Sequence, residues 1–171
     1  MMAGMEKKGL DLAKEVGMNM PTIIDSGHKE GMRMRDFEGF SNPLSKKNAL
    51  LVECGQHWEK SSEPIAIETM IRFIRNTGIM HNDFGLEYIS NATNSLKMQF
   101  LKVGQAITIK TENFRFVKDW QGFDHLTKDE IIGYDGNEEI KAPYKKTVLV
   151  MPSKRLFVGK TAVRLAYPIH W

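Results

Sequence analysis

The chain is short of the features that most readily reveal a function. It has one cysteine, Cys54, among 171 residues. That excludes an internal disulfide framework and any multi-cysteine zinc site. Directly after an apolar run, Cys54 reads as a small buried hydrophobe. A nucleophile–base pair of Cys54 with His57 is the weaker reading, because three residues across a turn hold such a pair poorly. No apolar run approaches the roughly 18–20 residues that span a bilayer. No apolar signal core follows Lys7 and Lys8, so a cytoplasmic soluble protein is expected. The net charge of +3 is too small and too evenly spread to argue for nucleic acid. The densest basic cluster, Lys141 to Lys146, is broken by Pro143 and Tyr144 and reads as a solvated hairpin.

Motifs with a fixed spacing are missing too. The five histidines, 28, 57, 81, 125 and 170, form no His-x-x-x-His, no His-Glu-x-x-His and no His-x-x-Glu, so no recognisable metal site is encoded. His57 and Glu59 give the His-x-Glu of deaminases, but the paired cysteines that chemistry needs cannot exist here. "VGKTAV" at 158–163 imitates the end of a phosphate loop without the upstream glycine, and a strand pattern follows it. Gly-x-Ser-x-Gly is absent, which removes the usual serine hydrolase elbow.

What is present divides the chain. Glu6 to Val16 has an amphipathic pattern closed by Gly17 and predicts a short helix. Pro21 leads into "TIID", a brief strand ending on Asp25. Ser26 to Lys47 is a loop of about twenty residues, a length that is usually functional or disordered in compact domains. A buried strand is expected over Ala49 to Val52. "SSEPIAIETMIRFIRNTG" then predicts a helix capped by Ser61 or Ser62 and ended near Gly78. Its apolar face is read as Ile67, Met70, Ile71 and Ile74. From about residue 97 the pattern alternates, with β-branched and aromatic residues and an Asp-Gly turn, and predicts strands. The expected organisation is therefore an α/β segment over 1–91 and a β-rich domain over 92–171. The first is too small to complete a doubly wound sheet, so either the chain pairs with something, such as a second copy in a homo-oligomer, or it is missing its N-terminal half.

One residue stands out chemically. Glu53 is an ionisable carboxylate at the carboxyl end of the expected strand, where open α/β sheets build their sites. Burial raises a carboxylate's pKa and suits it to general-base work. The alternative is a structural glutamate paired with Arg33, Arg35 or Lys60, and spacing alone leaves both open.

The segments "DSGHKEGMRMRDFEGFSNP", "VECGQHW" and "GYDGNEEIKAPYKKTVLVMPSKRLFVGKTAVRL" together resemble the C-terminal half of the succinylglutamate desuccinylase/aspartoacylase family. The resemblance runs in order from about Leu10 to Leu165. It implies a partial zinc-carboxypeptidase-like α/β segment followed by a small all-β domain, barrel- or sandwich-like. It also implies hydrolysis of N-acyl amino acids by a zinc-activated water, with Glu53 as the general base. The family's zinc ligands, a His-x-x-Glu pair and a further histidine, lie upstream of everything present. The cofactor is thus zinc in the complete enzyme and none in this chain, which is expected to be inactive alone. The family's substrate arginine falls near Pro43, so Arg33 and Arg35 become the candidates for a substrate carboxylate. His57, four residues after Glu53, is a candidate substrate contact, and the β-domain's tyrosine has no match around Ser153 to Leu156. The alternative to a deacylase portion is a non-catalytic binding or assembly module without the metal half.

Overall fold

The first helix forms where the pattern placed it. In the computed structural model, which describes residues 1–26, 31–56, 58–90 and 99–171, α1 spans Lys7–Val16 and buries Gly9, Leu10, Ala13 and Val16. Gly17 ends it in the left-handed region at φ 63°, returning its N–H to Ala13 O at 3.1 Å. That is the backbone closure glycine permits at a helix end. The chain divides into two compact units, Met1–Gln99 and Phe100–Trp171, each treated separately below.

In the first unit, α1 connects two short parallel strands, β1 (Met2–Ala3) and β2 (Thr22–Ile24), with Met2 opposite Ile23 and Ala3 opposite Ile24. All five residues are buried. β1 has no counterpart in the sequence reading, because two residues carry no periodicity. The strand expected over Ala49 to Val52 is reduced to a single antiparallel bridge. Met2 donates to Leu51 O at 2.8 Å, and Leu51 donates back to Met2 O at 3.1 Å. Leu51 and Val52 are half-buried, where a core strand was expected.

The long loop is gathered around one ammonium group. Lys8 Nζ donates to the carbonyls of Gly39, Asn42, Ser45 and Lys47 at 2.7–3.1 Å, and Asn48 Nδ2 donates to Lys8 O at 2.7 Å. Within the loop lie a one-turn 3₁₀ helix, Met34–Asp36, and a short helix, α2, at Glu38–Ser41. Lys8→Met keeps the aliphatic stem and removes every donor. A charge-assisted hydrogen bond contributes about 1.5–3 kcal/mol. The variant is therefore expected to lose about 2 kcal/mol in chemical denaturation, with faster amide exchange over 38–47. Unchanged exchange there counts against this role.

Helix α3 runs over Ser62–Asn76, but its packing differs from the expected face. Of the four apolar residues expected to be buried, Ile71 is, whereas Met70 is 52% exposed. Ile65 and Phe73 pack instead on the cluster of Met1, Ala13, Val16 and Met18. Thr69 is buried between them in sequence, and its hydroxyl donates to Ile65 O at 2.7 Å. The spacing of four from 65 to 73 defines a second stripe, and it is the stripe that packing with α1 selects. The serine cap is not formed either. Ser61 makes no side-chain cap, and the Ser62 hydroxyl donates to Gln56 O at 2.7 Å.

The second unit is all-β. One antiparallel sheet is ordered β3 (Phe100–Thr108), β9 (Thr161–Ile169), β8 (Thr147–Val150), β5 (His125–Leu126), and the other is ordered β4 (Arg115–Phe116), β6 (Ile131–Asp135), β7 (Glu138–Lys141). Both sheets are open, so of the two architectures expected the barrel is not formed. Trp120, Leu126, Ile132, Leu149, Val163 and Leu165 form the buried core. The Trp120 indole, which needs an acceptor when buried, donates to Ile132 O at 2.8 Å. Asp135 accepts from the amides of Lys110 and Thr111 and from the Thr111 hydroxyl at 2.6–2.9 Å. Burial pushes its carboxyl up, but these bonds outweigh burial and hold it below the usual range.

Candidate functional site

The geometry around Glu53 follows from the Leu51 bridge. An antiparallel partner of Met2 runs back along β1, so Val52 and Glu53 continue past the amino end of that strand. Glu53 is exposed, where burial was expected, and Cys54 is half-buried. Gly55 follows at φ 125°, and a Cβ there would stand 2.6 Å from Ser62 Oγ. Only glycine fits that turn without displacing the serine. Gln56 O accepts both from Ser62 Oγ at 2.7 Å and from the Glu59 amide at 3.0 Å. The turn carrying Glu53 is thus tied to the start of α3.

The Met1 ammonium lies in the same neighbourhood and donates to Pro21 O at 2.8 Å. Burial pushes this amine down from 8.0 to about 6, while the nearby Cys54 and Glu53 pull the other way. A lowered folded pKa means that the unfolded chain binds more protons between pH 6 and 8, so stability rises with pH across that window. Two pKa units correspond to about 2.7 kcal/mol. The 171-residue chain with a free α-amino group is expected to gain about 2–3 kcal/mol in urea denaturation from pH 6 to 8. Nα-acetylation is expected to abolish the slope; a slope that survives acetylation belongs to another group.

Arg33 and Arg35 lie at the other end of β1. Arg35 is 5% exposed. Its guanidinium donates to Ala3 O and, at 3.0 Å, to Asp25 O, the carbonyls at the carboxyl ends of β1 and β2. Its Nε lies 3.4 Å from the Asp36 carboxylate. Burial lowers the Arg35 pKa from its ordinary value, with Asp36 and Asp25 acting in the opposite sense. Arg33 Nη1 is 3.9 Å from Asp25 Oδ2, and the Arg33 side chain is 22% exposed. Beside this cluster lies a cavity of about 210 Å³, lined among others by Gly4, Ser26, Arg35 and Asp36. That is the crevice at the carboxyl ends of parallel strands where open α/β sheets take ligands. Asp25 and Asp36 were not singled out from the sequence. Their signal was faint: Asp25 ends a strand and Asp36 adjoins the arginine pair.

The structure therefore groups Arg33 with Arg35 and sets Glu53 at the opposite end of β1. His57 and His28 lie outside the described residues. Among the described residues, no three His, Cys, Asp or Glu side chains are grouped so as to hold a metal ion. No described helix is long and apolar enough to cross a membrane.

No protein-family model and no curated protein matches the sequence. Solved structures do match. A succinylglutamate desuccinylase from Vibrio parahaemolyticus superposes with a TM-score of 0.61 at 12% identity, over 99% of this chain and 48% of that one. The Vibrio cholerae enzyme gives 0.60 at 13% identity, over 98% and 48%. The fold is that of half a succinylglutamate desuccinylase. The share covered fits the C-terminal half expected from the sequence, and the chain spans about half the length of these relatives. The desuccinylase fold is mixed α/β here, with more sheet than helix.

Proposed function

We propose that this chain is the C-terminal portion of a zinc-dependent hydrolase that deacylates N-acyl amino acids, with Glu53 as the general base. The observation that carries this reading is the desuccinylase fold running through 99% of the chain while accounting for 48% of the relative. Among the described residues no group of His, Cys, Asp or Glu side chains fits a zinc ion, and this reading assigns the metal's ligands to the other half of the enzyme. What this chain supplies is the carboxylate and its placement. Glu53 is solvent-facing on a turn fixed by Gly55 and Gln56, free to accept a proton from the attacking water and to hand it to the leaving amine.

Of the two arginines, Arg33 keeps part of its side chain in solvent and is assigned to the substrate carboxylate, where a guanidinium binds two oxygens at once. It lies at the end of β1 opposite Glu53, so the assignment requires a substrate that reaches past both residues of that strand. Arg35 holds the loop that presents Arg33, and His57, four residues after Glu53 in sequence, is assigned to the substrate. The assembled enzyme, containing this chain and the missing half, is to be assayed against N-succinyl-glutamate and N-acetyl-amino acids. Hydrolysis that a zinc chelator stops is the expected result. An assembled, zinc-loaded enzyme that cleaves no N-acyl amino acid sinks the proposal.

A further inference from the structure

We infer that the crevice beside Arg35 is a binding site for a free α-amino acid, the zwitterionic product of the reaction proposed above. The identity of the ligand rests on that reading; the cavity itself does not. Its volume of about 210 Å³ is below the roughly 300–1,000 Å³ of pockets that take drug-sized molecules. It suits a small metabolite.

Charges of opposite sign stand at its wall. Arg35 is buried, Asp36 is half-buried, and both line the cavity. Arg35 Nε and Asp36 Oδ2 are 3.4 Å apart, yet both atoms are enclosed and neither makes a hydrogen bond among the described residues. Buried polar atoms of this kind are rare and call for an explanation. Here the guanidinium is held by the Ala3 and Asp25 carbonyls rather than by Asp36, which leaves the Asp36 carboxylate for the cation of a ligand.

The other pole is the first turn of α1. Glu6 precedes this helix without capping it by its side chain, and Glu6, Lys8 and Gly9 line the same cavity. A ligand carboxylate there is stabilised by the helix dipole and by the buried charge of Arg35. Two glycines bring the poles together. A Cβ on Gly9 would stand 3.4 Å from Gly4 N, and a Cβ on Gly4 would stand 3.6 Å from Asp36 Oδ1. Asp36 and Glu6 oppose a lone anion at this wall, and Arg35 opposes a lone cation. An α-amino acid answers both, because its ammonium and carboxylate are attached to one carbon.

Selection against the substrate follows from the same charges. Water splits the amide C–N bond into the acyl carboxylate and an amine that is protonated at neutral pH. Before that step the nitrogen is a neutral amide and offers Asp36 no cation. The crevice thus takes the product rather than the N-acyl substrate, at the end of β1 opposite Glu53. Arg33 is not among the residues that line it.

Calorimetric titration of the 171-residue chain tests this with L-alanine, L-serine and L-glutamate, each beside its N-acetyl derivative and its deamino analogue. At least one free amino acid is expected to bind with a Kd of about 1 mM or tighter, and at least about tenfold more tightly than both of its analogues. Absence of saturable binding up to about 10 mM overturns the inference. So does equal affinity for the deamino analogue, which makes the crevice an anion site, or for the N-acetyl derivative, which makes it a substrate pocket. Gly4→Ala sets a methyl group at ordinary contact distance from Asp36 Oδ1. It is expected to fold and to bind the amino acid at least about tenfold more weakly. Asp36→Asn is expected to erase the preference for the free amino acid over its deamino analogue. If both variants bind as the wild type does, the crevice is not the site; if neither folds, the analogue series decides. Amino-acid binding without hydrolysis of any N-acyl amino acid by the assembled enzyme refutes the deacylase reading alone. Hydrolysis without amino-acid binding refutes the product site alone.

Discussion

Glu53→Gln in the assembled enzyme is expected to lower kcat by about 100- to 10,000-fold, the range a positioned general base contributes. That is about 2.7–5.4 kcal/mol of transition-state stabilisation. The substitution preserves shape and removes the proton acceptor. KM is expected to stay within about threefold, because the interaction lost is one made in the transition state. The position also makes the experiment clean. In this chain Glu53 is exposed, and surface substitutions of this kind shift stability by no more than about 0.5 kcal/mol, so the variant chain itself is expected to fold as the wild type does. A merely structural glutamate leaves the pH dependence of kcat/KM intact. A general base gives it an acid limb, which the glutamine variant is expected to lose. Turnover within threefold of wild type, with the acid limb preserved, removes Glu53 from the mechanism and leaves the non-catalytic assembly module as the better account.

How far the sequence carried the structure differs between elements for physical reasons. α1 was legible because its stripe, its length and Gly17 agree locally. The β6–β7 hairpin was legible because Gly136, at φ 63°, supplies the turn the pattern announced. α3 was placed correctly but rotated: it is apolar at 65, 67, 70, 71, 73 and 74, and such a helix does not state which stripe faces inward. That choice is made by α1, a tertiary partner. Ala49 to Val52 reads as a core strand because its composition suits one, and the single bridge to Leu51 shows a segment whose other edge has no described partner. Its apolar residues suit a strand paired on both edges, and among the described residues one edge is paired. Arg33 and Arg35 were chosen for charge and for nearness to the position, about Pro43, where the family's substrate arginine falls. Their grouping with Asp25 and Asp36 depends on β1, a strand of two residues that no pattern reveals.

Arg35→Met is expected to be the most destabilising of the simple substitutions, by about 3–5 kcal/mol, the usual cost of breaking a buried ion pair from one side. The arginine joins three segments distant in sequence: Ala3 at the end of β1, Asp25 after β2, and Asp36 in the loop. Removing the guanidinium takes a donor from each of two carbonyls, at about 1–3 kcal/mol each, and removes the cation beside the Asp36 carboxylate. Arg35→Lys keeps the charge, but a single ammonium cannot reproduce the planar fork that serves both carbonyls. An intermediate loss of about 1–3 kcal/mol is expected there. Because the chain consists of two units, a single global transition can mislead. Trp120, buried in the second unit, is expected to report no change, while the amides of α1 lose protection in hydrogen exchange. A loss below 0.5 kcal/mol in the first unit means that the guanidinium is not what holds this crevice together. A substrate-binding role for Arg35 then regains its standing beside Arg33, since an arginine the fold does not need is free to bind a ligand.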